Sequence, residues 1–488
     1  MSHHEVVIIG AGISGICAAI KLREAGVTDV VVLEKGDSFG GTWRANTYPG
    51  CACDVPSRLY SFSFAQNADW SRVYAGQAEI KEYVERVARE HGVDEVTRFG
   101  VRMDDAAWDG QAWQLATSDG PMSARFLISA AGPWDAPNIP DLPGLADFPG
   151  RVFHSAQWDH DYDLTGKRVA VIGTGASAVQ FVPEIQKQVA HLSLFQRTAH
   201  WVLPKADHAV PSLEKLALRH VPLLNRSMKR VEYAAMELVG RGFHRPKPVM
   251  VGLQKVAEGY LKAAVRDPGL RARLTPGYAM GCKRILFSNN WFQALQQPNV
   301  EVLATGVREI RGDVVVGADG SEAAVDAIIL GTGFHILDMP VAEHVRGAGG
   351  QTLADVWAGS PEAYLGTVVP GFPNAFIVLG PSLGTGHTSA FQIVEAVTAY
   401  VVQAIGHARA AEVTLDVRAD VMRDYVDEVQ AGLEGTAYNR AECNSYYRDA
   451  NGRNSFAWPW SSGALTRRFS RFDPTVYSTS PSLQEVSA

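Results

Sequence analysis

The sequence predicts an α/β protein with two Rossmann-like dinucleotide-binding domains and a helical insertion. Two glycine-rich motifs, GAGISG at 10–15 and GTGASA at 173–178, each follow a short β-branched run and precede an apolar helical stretch. A strand, a glycine turn and a helix in this order are the context in which such motifs hold a dinucleotide. After the second motif, the spacing of apolar residues becomes helical over a long stretch. The expected boundaries are 1–150 and 336–473 for the first domain, 151–335 for the second, about 211–274 for the insertion and 474–488 for a disordered tail.

Length and composition are those of a globular protein of several domains with no reason to bind nucleic acid. The chain has 488 residues, 46% of them hydrophobic and 20% charged, and a formal net charge of −7. Its five cysteines are odd in number and form no C-x-x-C pair, so we expect neither a disulfide framework nor a metal site. The N-terminus enters an apolar strand at once, which leaves no room for a signal peptide, and no apolar run is long enough to span a bilayer. These features predict a cytoplasmic protein.

The first glycine motif predicts a nucleotide whose ribose hydroxyls are free. Gly10 makes the tight turn, Gly12 lets the backbone approach a pyrophosphate, and Gly15 lets the helix pack closely on the strand. Glu34 ends the next strand, where a carboxylate can accept hydrogen bonds from both ribose hydroxyls. An acid at this position favours FAD or NAD and disfavours NADP. The expected contacts of this nucleotide are Gly10, Gly12, Ser14, Gly15, Glu34 and Lys35.

A second close-approach loop follows in the stretch GGTWRANTYPGCACD at 40–54. Its glycines allow the backbone near a ligand, and its aromatic residues offer flat surfaces for a flavin ring. Cys51 and Cys53 raise the alternative of a flavin-dependent disulfide reductase. Such enzymes use C-x-x-C or wider spacings on a helix, and a C-x-C in an irregular loop fits them poorly. The expected flavin contacts here are Gly41, Thr42, Trp43 and Tyr60, with the glycine-rich turn that begins at Gly380 placing backbone amides against the same ring.

The second glycine motif predicts a nucleotide of the opposite kind. Gly173, Gly175 and Ala178 have the G-x-G-x-x-A spacing, and Ser177 lies in the same turn. The following strand ends in FQRT, so Arg197 stands where an acid would otherwise hold a ribose. An arginine there suits a 2′-phosphate, which favours NADPH over NADH.

Between the two motifs, the stretch FPGRVFHSAQWD at 148–159 spells F-x-G-x-x-x-H-x-x-x-W-D. This pattern resembles the fingerprint of the type I Baeyer–Villiger monooxygenases, class B flavoprotein monooxygenases related to the flavin-containing N- and S-oxygenases. The earlier stretch is similar to the family's longer pattern G-G-x-W-x-x-x-x-Y-P-G-x-x-x-D, which includes Tyr48, Pro49, Gly50 and Asp54. The fingerprint residues are Phe148, Gly150, His154, Trp158 and Asp159.

The resemblance implies a cofactor pair, a reaction and roles for particular residues. FAD would be tightly held and NADPH would reduce it. A flavin C4a-peroxide formed with O2 would then insert one oxygen atom beside a ketone carbonyl, giving an ester or lactone. By the same resemblance Arg284 is the catalytic arginine and Asp54 an active-site carboxylate that orients it. The remaining residues implied are Thr198, His200 and Lys283 at the NADPH phosphate and Met103 at the adenine side of FAD.

Two other functions remain open at this stage. A heteroatom oxygenase needs no catalytic arginine, and Trp158 and Arg284 speak against it as the main activity. A non-oxygenating NADPH flavin reductase would keep both glycine motifs and need neither Arg284 nor Asp54. The aromatic residues of 446–460 either line a substrate pocket or pack the C-terminal segment onto the core. The sequence names neither the ketone nor the oligomeric state.

Overall fold

The computed structural model describes residues 2–246, 248–440 and 445–481, and its first sheet has eight strands. The central strands are β-branched runs buried on both faces, as parallel strands covered by helices must be. They lie in the order β17-β4-β5-β6-β1-β2-β3, with β18 also paired to β6. The strands are β1 (Ser2–Ile9), β2 (Val30–Glu34), β3 (Thr97–Phe99), β4 (Met103–Trp108), β5 (Trp113–Thr117), β6 (Gly120–Ser129), β17 (Val345–Arg346) and β18 (Ala375–Ile377).

Helices cover this first sheet, and the one that follows the glycine turn is nearly all buried. It begins after Gly12 and ends at Glu24, with Lys21 and Arg23 in its last turn, where cations favour the helix dipole. The long helix at 390–411 packs beside it and buries the apolar face of its own sequence. The helices of this part are α1 (Ile13–Glu24), α2 (Thr42–Ala45), α3 (Gln77–Glu90), α10 (Leu353–Trp357), α11 (Ala390–Ala411), α12 (Ala419–Leu433) and α13 (Ser462–Phe469).

The second sheet is parallel and has five strands in the order β12-β9-β8-β16-β7. Helix α4 (Ala176–Ile185) follows its glycine turn and α9 (Trp291–Ala294) packs against α4. A three-stranded antiparallel sheet, β13-β14-β15, lies before the last parallel strand. The strands are β7 (Arg151–His154), β8 (Arg168–Ile172), β9 (His191–Phe195), β12 (Val300–Leu303), β13 (Val307–Arg311), β14 (Val314–Gly317), β15 (Glu322–Ala324) and β16 (Ala327–Leu330).

The insertion is helical, as the apolar spacing predicts. Two of its acids attach it to the first domain: Arg58 donates hydrogen bonds to Glu214 and Glu232. Two short parallel strands enclose the insertion in the sequence, β10 (Val202–Leu203) before it and β11 (Leu286–Phe287) after it. This ladder brings the residues near 200 beside those near 284. The four helices are α5 (Ser212–His220), α6 (Pro222–His244), α7 (Val249–Ala264) and α8 (Pro268–Leu274).

The prediction of a disordered tail at 474–488 is wrong for residues 474–481. Strand β20 (Tyr477–Pro481) pairs antiparallel with β19 (Val413–Val417). Tyr477 is buried, and its hydroxyl lies 2.7 Å from that of Tyr400 in α11. The serine-rich composition suggested disorder because it contains little apolar surface. Tyr477 supplies the strand with buried apolar area and a hydrogen bond. Residues 482–488 lie outside the described residues.

The expectation that the cysteines form no disulfide is also wrong, since Cys282 is disulfide-bonded. Cys17, Cys51 and Cys53 are free thiols. Within the described part of the chain, no helix combines the length and apolar character needed to cross a bilayer.

We expect Gly15→Ala to lower the Tm, because its Cβ would lie 1.9 Å from the Gly10 carbonyl oxygen. Overpacking of this kind costs about 1–3 kcal/mol. In α7 nothing lies within 4 Å of the place a Cβ would take at Gly259. Gly259→Ala should therefore keep or raise the Tm, since alanine favours a helix over glycine by about 1 kcal/mol. Circular-dichroism melting curves compare the two variants, and a Gly15→Ala protein that melts with the wild type would contradict the prediction.

Candidate functional site

The first glycine turn is built around a buried carboxylate. Oε2 of Glu34 accepts a hydrogen bond from the Ala11 amide at 2.8 Å, and Oε1 accepts from the Gly36 amide at 2.7 Å. Arg44 adds a third bond through Nη2 at 3.0 Å. Gly10 has a φ of +104°, a conformation that L side chains rarely adopt. Glu34 thus lies at the end of β2 directly beside the turn, as its spacing predicts.

The second close-approach loop lies against this turn. The Gly40 amide donates to the Ala11 carbonyl at 3.1 Å. A Cβ on Gly41 would lie 2.9 Å from Cα of Gly12, so the two loops approach with backbone alone. Beside them Trp43 donates from Nε1 to the Tyr60 hydroxyl at 3.1 Å, and their rings meet edge to face. The two loops form a cradle that a side chain at either glycine would fill.

The structure places the other expected contacts of the first nucleotide on several different elements. Ser14 is buried in the first turn of α1, and Met103 begins β4. Lys35 forms an exposed ion pair with Asp135 at 2.6 Å. A Cβ on Gly380 would lie 2.2 Å from the carbonyl oxygen of Gly366, so Gly380 permits a close crossing of backbone segments.

The second glycine turn repeats the design without the acid. Gly173 has a φ of +106°, and a Cβ there would lie 2.4 Å from the Gly331 carbonyl oxygen. Gly175 is the N-cap of α4, and the space in front of it is open. Ser177 lies in the first turn of that helix, and the Thr198 carbonyl accepts a hydrogen bond from Thr174 at 3.1 Å. Free amides at a helix N-terminus facing open space are suited to a phosphate.

Positive charge collects beside this second turn. Burial and the neighbouring Arg197 lower the pKa of Lys283, whose Nζ lies 5.2 Å from the Tyr278 ring centroid. Burial, together with Lys283, lowers the pKa of His200 to about 4, so this imidazole is neutral at physiological pH. Within the described ranges no carboxylate pairs with Arg197 or Lys283. Two cations without an acidic partner make a site for an anion with more than one charge.

Arg284 and Asp54 form a bidentate ion pair. Nε of Arg284 donates to Oδ2 at 3.0 Å, and Nη2 donates to Oδ1 and Oδ2 at 2.7 and 2.8 Å. The side chains retain 35% and 22% of their exposure. Asp54 raises the pKa of Arg284 above its already high ordinary value. The guanidinium is therefore a permanent cation, and Nη1 donates to no side chain or carbonyl among the described residues.

The loop that carries Asp54 is fastened to the second domain. Tyr48 donates from its hydroxyl to Oε1 of Gln180 at 2.9 Å. Nε2 of the same glutamine donates to the Ala52 carbonyl at 2.9 Å, and the Ala52 amide donates back at 3.3 Å. Gly50, with a φ of +77°, lies so close to α4 that a Cβ would be 2.8 Å from the Gln180 carbonyl oxygen. The pattern residues Tyr48 and Gly50 thus dock one domain on the other.

Trp158 of the fingerprint belongs to the same junction. Its ring lies 5.1 Å from Phe153 and 5.3 Å from Phe181 in α4. Phe181 in turn lies 6.0 Å from Tyr48, edge to face. The aromatic chain from Trp158 through Phe181 to Tyr48 links the fingerprint to the loop that presents Asp54.

The other fingerprint residues shape the crossing between the domains. Burial lowers the pKa of His154 to about 4, and its Nδ1 accepts from the Ala156 amide at 3.1 Å, so the ring is neutral. Phe148 is buried, and Asp159 forms an ion pair with Arg151. A Cβ on Gly150 would lie 2.3 Å from the Asp326 carbonyl oxygen. None of these four residues forms a hydrogen bond or an ion pair with Arg284 in the described part of the chain.

The sequence left open whether the aromatic C-terminal segment lines a substrate pocket or packs onto the core. Its residues differ in burial. Tyr447 is buried and stacks on Phe456 with ring centroids 4.8 Å apart, and Trp458 is buried against Trp460. These four rings pack the segment onto the core. Tyr446 is 47% exposed and lies within electrostatic range of Arg284.

Sequence reasoning missed two polar residues of the site, Gln180 and Lys205. Gln180 holds the Asp54 loop, and Lys205 donates from Nζ to the Cys53 carbonyl at 2.9 Å. Neither belongs to a motif, and each acts across more than a hundred residues of sequence. The one signal in the sequence was that Lys205 follows the FQRT stretch by a few residues.

Cys51 and Cys53 are not arranged as a redox pair. Burial raises the pKa of the Cys51 thiol to about 11 and that of Cys53 well above its ordinary range. Both are therefore protonated, whereas thiol–disulfide exchange requires a thiolate. This disfavours the disulfide-reductase alternative.

Comparison with known proteins agrees with this geometry. A family model described as pyridine nucleotide-disulphide oxidoreductase matches residues 7–221. A Baeyer–Villiger monooxygenase of Streptomyces coelicolor is 45% identical over 479 residues, which cover 97% of this chain and 92% of the relative. A Baeyer–Villiger monooxygenase of Pseudomonas aeruginosa is 43% identical, with 96% and 90% covered.

A solved structure of an oxidized steroid monooxygenase bound to NADP has the same fold. It is 30% identical with a TM-score of 0.84, and the match covers 96% of this chain and 97% of that one. The matches with these two curated relatives cover nearly the whole chain. The chain therefore belongs to the Baeyer–Villiger monooxygenase family.

Proposed function

We propose that the protein is an FAD- and NADPH-dependent Baeyer–Villiger monooxygenase. It inserts one atom of O2 beside the carbonyl of a ketone to give an ester or lactone, and the other atom leaves as water with the two electrons of NADPH. The observation that carries the proposal is the bidentate Arg284–Asp54 pair, held where the loop of one nucleotide domain docks on the other. A small-molecule ketone and O2 are the substrates, and the cytoplasmic location stays a prediction.

The first cradle fits FAD. Backbone alone lines the approach between Gly12 and Gly41, which leaves room for a pyrophosphate. Glu34, buried beside the turn, is placed to accept hydrogen bonds from ribose hydroxyls and would repel a 2′-phosphate. Trp43 and Tyr60 would form one wall for the ring system. Bound FAD supplies the capacity to accept hydride and to activate O2, which no side chain of the chain can supply.

The second turn fits NADPH. The open N-terminus of α4 at Gly175 would receive the pyrophosphate, with Gly173 and Ser177 in the same turn. Arg197 and Lys283 would hold the 2′-phosphate, with Thr198 beside them. Since His200 is neutral, Arg197 and Lys283 would provide the positive charge of this site.

Arg284 would stabilise negative charge during oxygen transfer. Its pKa lies too high for it to act as an acid, so it can only donate hydrogen bonds to developing anions. Asp54 takes up Nε and Nη2 and leaves Nη1 for the reacting oxygen atoms. The carboxylate thus fixes the angle of the guanidinium plane, and a bidentate pair has far less freedom than a single contact.

The rival functions do not account for this pair. A heteroatom oxygenase uses an electrophilic oxygen and has no oxyanion of a ketone adduct to stabilise. A flavin reductase needs only hydride transfer between the two nucleotides. Neither reaction requires a guanidinium whose free nitrogen faces the junction of the two domains.

We expect Arg197→Ala to weaken NADPH binding by about 10- to 150-fold, because one charge-assisted contact contributes about 1.5–3 kcal/mol. NADH lacks the 2′-phosphate, so its binding should change little. Because the pKa of His200 is already about 4, titration of this imidazole should not change the preference for NADPH near neutral pH. Titration of both coenzymes into the FAD-loaded protein measures this. Lys187→Ala, which removes an exposed cation of the same domain, is the control; a wild type that binds both coenzymes equally would refute the assignment.

The decisive variant is Arg284→Ala. We expect it to bind FAD and oxidise NADPH while ester formation from cyclohexanone or another accepted ketone falls by about 100- to 1,000-fold. Arg284→Lys should rescue little, because an ammonium lacks the planar fork that Asp54 orients. Gas chromatography of the ester, with NADPH consumption recorded in parallel, separates the two half-reactions.

Arg418→Ala is the matched control for this experiment. Arg418 forms a similar bidentate pair with Asp420 on the surface, with contacts of 2.7 and 3.1 Å. Its loss should leave ester formation unchanged. Near wild-type ester yield from Arg284→Ala would refute the role of Arg284, whereas a wild type that forms no ester from any ketone would favour one of the rival functions.

A further inference from the structure

Lys205 lies on the segment after β10. Its backbone amide and its backbone carbonyl are both hydrogen-bonded to one side chain, that of Asn289. The Lys205 amide donates to Oδ1 of Asn289 at 2.8 Å, and Nδ2 of Asn289 donates to the Lys205 carbonyl at 2.8 Å. Asn289 follows β11, so these two bonds continue the β10–β11 ladder through a side chain. The starting point of the lysine side chain is therefore fixed with respect to the Lys283–Arg284 segment.

The other end of the side chain reaches the peptide that carries Asp54. Nζ of Lys205 donates to the Cys53 carbonyl at 2.9 Å, and this carbonyl belongs to the peptide bond between Cys53 and Asp54. The ammonium also lies 4.8 Å from the centroid of the Tyr74 ring. On the other side, the Cys53 amide donates to the Ala75 carbonyl at 3.0 Å. The residue before Asp54 is thus gripped at both its amide and its carbonyl.

Burial and the neighbouring charges together set the pKa of the Lys205 ammonium. Burial lowers the pKa of its ammonium below the ordinary value, while Asp54, Asp207 and the Cys53 thiol oppose this change and Arg72 adds to it. Asp207 is itself paired with Arg72 at 2.9 Å and accepts from the Tyr74 amide at 3.2 Å. Lys205 is therefore a half-buried cation whose proton is lost at a lower pH than that of an exposed lysine.

We infer that Lys205 is a positioning residue for oxygen transfer: it holds the Cys53–Asp54 peptide and through it the orientation of the Arg284 guanidinium. This rests on the proposed function of the Arg284–Asp54 pair. Asp54 has both oxygens on Arg284, so a rotation of its backbone turns the guanidinium plane with it. Among the described residues, Lys205 forms no hydrogen bond with Arg284 or with the carboxylate of Asp54. Besides the electrostatic attraction between its ammonium and Asp54, its contact with this loop is the hydrogen bond to the Cys53–Asp54 peptide.

The test compares Lys205→Met, Lys205→Arg and a matched control in the FAD-loaded full-length protein. Methionine keeps the length of the stem on Tyr74 and removes the donor. We expect Lys205→Met to lower the ester formed per NADPH consumed by about tenfold, the effect of one charge-assisted contact, with hydrogen peroxide replacing the ester. The KM for NADPH should stay within about twofold. Lys205→Arg should restore most of the yield, since it keeps a donor and a charge.

Lys215→Met is the control, because Lys215 is also a half-buried lysine that donates to a backbone carbonyl, that of Asp69 at 3.2 Å, far from Asp54 along the chain. It should give the wild-type ratio of ester to peroxide. An equal loss of ester per NADPH in Lys215→Met would overturn the inference, and so would a Lys205→Arg protein that does not recover the yield. Either result would mean that the loss comes from a general loss of packing.

A pH profile distinguishes positioning from packing. The wild-type ester yield per NADPH should fall as the pH rises toward the lowered pKa of Lys205, where the ammonium loses its proton. In Lys205→Arg the fall should move to higher pH, because a guanidinium keeps its proton. In Lys205→Met the ester yield per NADPH should be low at every pH. The wild type, by contrast, should lose yield only at alkaline pH. Identical profiles in all three proteins would overturn the inference.

Hydrogen exchange separates this inference from the proposed function. Amide exchange in residues 49–55 should be faster in Lys205→Met than in the wild type and normal in Lys205→Arg and Lys215→Met. A wild type that makes no ester from any ketone refutes the proposed function whatever the exchange shows. Unchanged exchange in Lys205→Met, in an enzyme that does make ester, refutes the role of Lys205 alone.

Discussion

The ion pair between Arg284 and Asp54 is the interaction on which the arrangement of the site depends. Its partners lie 230 residues apart and come from different parts of the chain. A partly buried pair of this kind stabilises only if its geometry is good, because both charges lose hydration. The geometry here has three hydrogen bonds from two nitrogens, which fixes the guanidinium plane and leaves Nη1 outside the pair. The contacts around the pair are those that bring its two partners together.

Two sets of contacts do this, one for each partner. Gln180, Tyr48 and Gly50 dock the Asp54 loop on α4 of the second domain. The β10–β11 ladder brings the Arg284 segment beside residues 197–205, and Lys205 joins that segment back to the Asp54 peptide. The family fingerprint acts within the first set, since Trp158 reaches Tyr48 through Phe181. Trp158 is therefore linked by packed rings to the loop that carries Asp54.

The two nucleotide turns share one backbone design and differ in charge. At the first, a buried glutamate accepts three hydrogen bonds and offers a negative group to a ribose. At the second, Arg197 and Lys283 offer positive charge, and burial keeps His200 neutral. Because a 2′-phosphate would be attracted by one site and repelled by the other, these charges support the proposal that FAD occupies the first turn and NADPH the second.

The sequence by itself determined both glycine turns and the sign of charge at each, and its resemblance to the family points to Arg284 and Asp54. The turns and their charges depend on residues that lie close together along the chain. Tertiary structure alone decided that Gln180 and Lys205 hold the Asp54 loop, that Tyr477 anchors a strand where serine-rich sequence suggests disorder, and that Cys282 is bonded. Each of those contacts joins residues that are distant along the chain and belong to no periodic pattern. These contacts form only when distant parts of the chain pack together, so local sequence patterns cannot predict them.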